Sequence, residues 1–559
     1  MNKQQFRVLY RDFLFRIVDL EILAPQGDVS KLLGQFAALL VFVSLWLALI
    51  AGVMSGARTN TPAGMILSWL AGHFLISTTM LAVGLFAVMS WDSMFPDRRD
   101  VLVLFPLPIR ARTLLTAKIA ASASAVGVTV LALNIFSGLL VPFAAGRYFL
   151  RWFAAYWLTM TAAGVFILCG VLTIQGLAQL LPRQRFLRVS TILQMAFFFA
   201  MLTVYLLQPP FSEVADLLRN RNVLMWVPSY WFLGLFEELC GGTLPIAGLL
   251  ARRATIGLGL SLCGAAASYL LCYWRTLRKI AEQPDILPGR SGLRWLPRFG
   301  NSFQTAVGQF SVRTLLRSRQ HRVILSFYSG IGFGLAMFLA GDQGILRTAA
   351  GNGAWYRVNT PLLMGSIIIL CFVVMGARVV FAMPLELRAN WIFRVAAHAN
   401  GRACLAAARR SLYALSVIPV WTAAAIVFFR LWPRAFATQH LLLLAALGCG
   451  AAELALHGFR KIPFTCSYLP GKLRFNMALV YLFFFLLAVT KGAAMEMTAL
   501  HTPRLYREIL AGLTVLAVAA FWRTAAEARS AESSLRFDEA PDPAIHALDL
   551  HRDGVTLLG

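Results

Sequence analysis

The feature that most constrains this chain is a series of about twelve apolar runs, each near the ~20 residues needed to cross roughly 30 Å of hydrocarbon. They fall near 33–54, 64–90, 114–143, 151–181, 189–208, 246–274, 323–341, 360–383, 405–429, 438–457, 475–495 and 505–523. A backbone in hydrocarbon has no water to bond, so each run is expected to satisfy its own amides as helix. The connections leave no room for a soluble domain of ordinary size, because 59% of the 559 residues are hydrophobic and only 14% charged. The expected fold is an all-α polytopic integral membrane protein with about 12 spans. The third and fourth runs are long enough to hide a break.

Charge orients the spans. Of the 51 Lys and Arg, roughly 37 fall in the N-terminus, the even-numbered loops and the C-terminus, and about 14 in the odd-numbered loops. This excess predicts cytoplasmic termini in a cell (inner) membrane. The net charge of +26 is spread over span ends and not gathered in a groove. Lipid headgroups are therefore the expected partners, and nucleic acid is not.

Residues 1–23 lack the apolar core of a signal peptide. Phe6, Leu9, Tyr10, Phe13, Leu14 and Ile17 recur at helical spacing with Arg7 and Arg11 on another face, which predicts an amphipathic helix in the inner interface. A similar pattern of Phe303, Val307, Phe310 and Thr314 beside Arg313 and Arg317 precedes the seventh run. Between the odd-loop prolines Pro209 and Pro245, the aromatics Trp226, Tyr230, Trp231, Phe232 and Phe236 suit a helix anchored in the outer headgroup layer.

The second half repeats the first. Met94–Asp97 sits opposite Met383–Glu386, and Leu181-Pro182 opposite Leu469-Pro470, both at an offset of about 288–289 residues. Six spans per repeat give the halves the same orientation. The domains expected are a first six-span half over 1–274, a cytoplasmic linker over 275–300, a second half over 301–523, and an acidic tail over 524–559, mostly disordered.

Familiar catalytic and metal patterns are absent. The eight cysteines form no CxxC, HExxH does not occur, and no GxxxxGK[ST] or GxSxG is present. No enzymatic activity, cofactor or metal is expected of this chain. Glu453 lies inside a predicted span with His457 four residues on, a possible intramembrane polar site. The pair is more simply read as neutralising an edge near Arg460 and Lys461. Arg378 is read as snorkelling to the inner surface.

The densest polar interruption in the first third is Trp91–Lys118, WDSMFPDRRDVLVLFPLPIRARTLLTAK. Asp97, Arg98, Arg99 and Asp100 precede an apolar run broken by Pro106 and Pro108, which helix cannot cross unbroken. Arg110 and Lys118 then lead into the third span. This pattern of flanking aspartates, an LPxPxR-like turn and an Ala117-Lys118 opening resembles the membrane subunits of ATP-binding-cassette exporters of the type-2 permease class. The interfacial helix and six-span units are similar to that class in both halves. In the second half only Glu386 and Arg388 keep the loop pattern, without its prolines.

The resemblance implies a permease that lacks an ATPase and pairs with two copies of a cytoplasmic ATP-binding subunit. The loop after the second span would act as a coupling helix on that subunit. With both halves in one chain, a second permease chain is not required. The alternative is a proton-coupled secondary transporter of twelve-span parallel-repeat layout, which calls for ionisable residues in several spans. A third possibility, an enzyme acting on lipid-linked substrates, calls for an interfacial acidic or His cluster that the loops lack.

Overall fold

A computed structural model of the chain describes residues 3–18, 38–49 (save 39), 62–95 (save 92), 100, 107, 109–143, 148–206, 221–242, 246–282, 302–342, 358–385, 401–459, 461–465 and 475–530. Among the described residues every regular element is helical and eleven helices are long and apolar enough to cross a membrane. A twelfth apolar helix, Leu40–Leu49, covers the described part of the first run.

In chain order the helices are α1 (Lys3–Val18), α2 (Leu40–Leu49), α3 (Pro62–Met89), α4 (Ala111–Asn134), α5 (Ser137–Phe143), α6 (Phe149–Gln179), α7 (Arg183–Leu206), α8 (Arg221–Trp226) and α9 (Pro228–Cys240). They continue with α10 (Ala247–Glu282), α11 (Ser302–Arg317), α12 (Arg319–Asp342), α13 (Thr360–Phe381), α14 (Gly401–Leu412), α15 (Ile418–Leu431), α16 (Arg434–Ala455), α17 (Phe475–His501) and α18 (Pro503–Ser530).

The third run does break, at Ile135–Phe136 between α4 and α5, whereas α6 passes through the fourth run whole. In the ninth run α14 and α15 are joined by a π turn over Tyr413–Val417. Pro419 supplies no amide to the preceding carbonyls, and a widened turn accommodates that loss. The eleventh run is expected from the sequence to end at 495, but α17 continues to His501. Glu496 therefore lies within a candidate span, buried, and not in a loop. A buried face on the helix is what admits a carboxyl there.

The chain divides into two compact units. One comprises 1–294, 326–369 and 469–497; the other comprises 295–325, 370–468 and 498–559. In the first unit α3 packs on α6, α7 and α9, and α10 lies along both α6 and α9. Ala117, Ala121 and Ala125, all buried, form a small-residue stripe on α4 that permits close helix approach. The apolar face of α1 lies on α4, burying Leu9, Phe13 and Ile17. The hydrophobic spacing of residues 6–17 thus faces protein as well as any interface.

The same unit holds a seam between α7 and α12. Gly330 and Gly334 leave space filled by Phe198, Leu202 and Leu206, and Phe198 meets Phe327 edge-on at 4.4 Å between ring centres. In the second unit α11 lies on α14, as α1 lies on α4, and α16 lies on α18. Val307, Cys404, Ala407 and Ile462 form a buried cluster with Phe303 against it. Arg378 does not snorkel: its Nε–H donates to the Ala455 carbonyl at 2.7 Å, at the C-terminal end of α16.

Gly234 marks the closest helix approach in the α9–α10 pair. A Cβ there would collide with the Leu250 Cβ and stand 2.9 Å from the Ala247 carbonyl oxygen. Gly234→Leu is expected to destabilise the chain by about 1–3 kcal/mol through overpacking, read as a lowered thermal midpoint in detergent.

Candidate functional site

Helix α3 ends at Met89, and its last carbonyls have no partner further along the helix. Neighbouring helices supply donors to Val88 at that end and to the buried residues Trp91, Met94 and Phe95 just beyond it. The Gln194 amide on α7 donates to the Val88 carbonyl at 2.8 Å, and the Gln175 amide on α6 donates to the Trp91 carbonyl at 2.6 Å. The Tyr269 hydroxyl on α10 donates to the Met94 carbonyl at 3.0 Å, and Lys118 Nζ on α4 donates to the Phe95 carbonyl at 2.7 Å. In return Trp91 Nε1–H donates to Ser190 Oγ on α7 at 2.9 Å, and the Ser90 hydroxyl donates to the Ile17 carbonyl of α1 at 3.1 Å. Trp91 and Phe95 are fully buried, and Phe95 stacks on Tyr269. Five helices therefore meet at the root of the loop that follows α3.

The one formally charged lock among these bonds is Lys118. Its Nζ also stands 2.7 Å from Asp100 Oδ2 and 5.1 Å from the centre of the Phe13 ring of α1. Both ends of the pair are almost inaccessible, at 2% and 1% side-chain exposure. A charge so buried is tolerated only when paired and hydrogen-bonded. Asp100 and Lys118, both named from the sequence, are brought together. Arg110 instead is exposed, immediately before α4 with extended backbone. Asp97, Arg98, Arg99, Pro106, Pro108, Glu386 and Arg388 lie outside the described residues.

The corresponding place in the second unit is built differently. After α13 the Leu385 amide donates to the Phe464 carbonyl at 3.0 Å, and the Phe464 amide donates to the Phe381 carbonyl at 2.9 Å. Phe464 holds φ at 65°, unusual for a bulky side chain, and is packed against Phe310, His321 and Phe381. His321 Nε2 lies 3.2 Å from the Met383 carbonyl.

Arg409, near the C-terminal end of α14, is a mostly buried cation of the second unit, its side chain 14% exposed. Its Nε lies 2.6 Å from Glu453 Oε1 and its Nη2 donates to Oε2 at 2.8 Å. The Thr524 hydroxyl donates to the same Oε2 at 2.8 Å, the Tyr413 hydroxyl reaches Oε1 at 3.3 Å, and the guanidinium lies over the Phe521 ring. Glu453 and His457 do not share a site. Helix α16 ends at Ala455, and His457 turns to Glu527 at 3.0 Å.

The aromatic helix α9 mostly faces inward. Tyr230 stacks on His73 at 3.9 Å, Ser229 Oγ lies 2.8 Å from His73 Nε2, and Phe236 meets Trp152 and Tyr156 edge-on. Trp231 is half-buried and donates from Nε1 to the Met225 carbonyl, while Trp226 is 83% exposed. Helical spacing puts Tyr230, Leu233 and Phe236 on one buried face. Burial pushes the Tyr230 phenol up to about 12 and raises the Glu237 carboxyl above its ordinary range.

Gln175, Gln194 and Tyr269 do not stand out in the sequence as site residues. Polar amides inside otherwise apolar runs were the available signal, since such groups mark interhelical bonds. Fold and site together define a multi-pass helical membrane protein. Comparison of the chain with family models, curated proteins and solved structures found no match.

Two outcomes follow for these groups. Glu453→Leu leaves the mostly buried Arg409 without its carboxylate and is expected to cost about 3–5 kcal/mol, with the Arg409→Met/Glu453→Leu double variant losing less than the sum of the Arg409→Met and Glu453→Leu singles. Thermal unfolding of the four proteins in detergent measures it. The folded Glu237 carboxyl holds its proton more tightly than the unfolded one. It therefore favours the fold fully below the unfolded carboxylate range, and that advantage fades as pH rises through the raised value. Glu237→Gln should flatten this dependence and raise the neutral-pH melting point.

Proposed function

We propose that this chain is the membrane-spanning permease of an ATP-driven exporter, with both six-span halves fused, working with separate cytoplasmic ATP-binding subunits. The observation that carries the reading is the junction at the root of the loop after α3. Side-chain and backbone bonds join that root to α1, α4, α6, α7 and α10. A loop so tied is suited to pass a push from a bound subunit to several spans as rigid-body motion.

The recurrence of α1 on α4 and α11 on α14 supports a chain of two like halves, as does that of α6 with α10 and α16 with α18. The α7–α12 seam joins the fifth span of the first half to the first span of the second. Such a seam is what a fused pair of permease units needs in place of a dimer contact. In this reading both termini are cytoplasmic and the loops after the second and eighth spans face the ATPase.

The test is affinity purification of the detergent-solubilised chain with identification of co-purifying proteins. An ATP-binding subunit is expected with the parent chain and is expected to be lost when Asp97, Arg98 and Arg99 are changed together to Ala. If no ATPase accompanies the parent chain, the exporter reading falls and proton-coupled carriage becomes the reading to pursue.

A further inference from the structure

We infer that Lys118 is a positioning residue that transmits movement of the first loop to the spans. The inference rests on the exporter reading and adds to it the residue that links the loop to its spans.

Lys118 sits eight residues into α4, in the first third of the helix. From there its ammonium reaches both sides of the unit's input. The Phe95 carbonyl belongs to the loop root, Asp100 lies five residues further into the loop, and the Phe13 ring belongs to α1. The other bonds at the junction end at Met94 or earlier, so Lys118 is the described contact that reaches furthest into the loop. Because the pair is buried, water does not screen it, and Asp100 cannot be drawn away without exposing an unpaired charge to an apolar surrounding. A displacement of the loop at Asp100 is therefore passed to α4, and through Phe13 to α1, before the pair yields.

In the second unit the mostly buried cation Arg409 is used elsewhere. Arg409 occupies a similar depth on α14, but its partners among the described residues are Glu453 of α16, with Thr524 and Phe521 of α18. These tie span to span. The described root of the second loop is held by the backbone of Phe464 and by His321.

The test uses the full chain in lipid nanodiscs together with its co-purified ATP-binding subunit. Nitroxide labels at Val128→Cys on α4 and Leu177→Cys on α6, both exposed positions, in a chain whose eight native cysteines are changed to Ala, report the distance between these spans with and without ATP plus vanadate. The parent is expected to show a nucleotide-dependent distance shift. Lys118→Met and Asp100→Asn should still bind the ATPase but lose the shift, Lys118→Arg should restore it, and Arg409→Lys should keep it. A structural role alone would not separate binding from the shift. If Lys118→Met fails to fold, Asp100→Asn, which leaves the Phe95 bond in place, carries the test. A full shift in folded Lys118→Met or Asp100→Asn overturns the inference and spares the exporter reading. An absence of any ATPase on the parent chain overturns both.

Discussion

The interaction on which the first unit depends is the bonding of the carbonyls left where α3 stops. A helix that ends at the protein surface can give its last carbonyls to water. Here the carbonyls bonded between Val88 and Phe95 belong to buried residues, so leaving those groups unbonded would cost the desolvation of each. The chain meets the requirement with Gln194, Gln175, Tyr269 and Lys118, each from a different helix. One local requirement, the satisfaction of the carbonyls at a helix end and in the buried stretch just after it, thereby fixes the relative placement of α4, α6, α7 and α10 around α3.

Lys118 differs in kind from the three neutral donors. A Gln or Tyr left without its acceptor leaves one polar group unbonded; an ammonium left without its carboxylate leaves a charge in a medium that cannot solvate it. Replacing both members of such a pair with apolar residues often costs little stability. Stability alone therefore gives a weak reason for a buried Lys and Asp at this point. A link between a loop and a span that resists separation gives a better one.

The spans were legible in the sequence because their length is set by hydrocarbon thickness and their helicity by backbone satisfaction, both local properties. Asp100 and Lys118 stood out as charges beside apolar runs. Their contact could not be read, since it depends on how the chain between them folds back, and Gln175 and Gln194 found partners only through tertiary packing. The Glu453–His457 pairing assumed that a helix continues across both. It stops at Ala455, and the chain turns through Gly458 at φ 68°, so the four-residue spacing lost its meaning. Tyr230 and Phe236 misled for a related reason: aromatic density suits a headgroup layer and a helix core equally, and only the neighbouring helices decide between them.

The two units then illustrate how like helix pairings can carry unlike polar locks. The apolar contacts of α1 with α4 and of α11 with α14 depend on periodic hydrophobic faces, which tolerate many substitutions of similar volume. A buried ion pair does not tolerate drift in that way, because moving one partner strands the other. Lys118 with Asp100 and Arg409 with Glu453 are thus separate solutions to burying a cation near the start of a span-forming segment. In the first the acid comes from the loop, in the second from another span. Where the counter-charge resides decides what the cation holds together, and so which part of the chain is made to move with the helix that carries it.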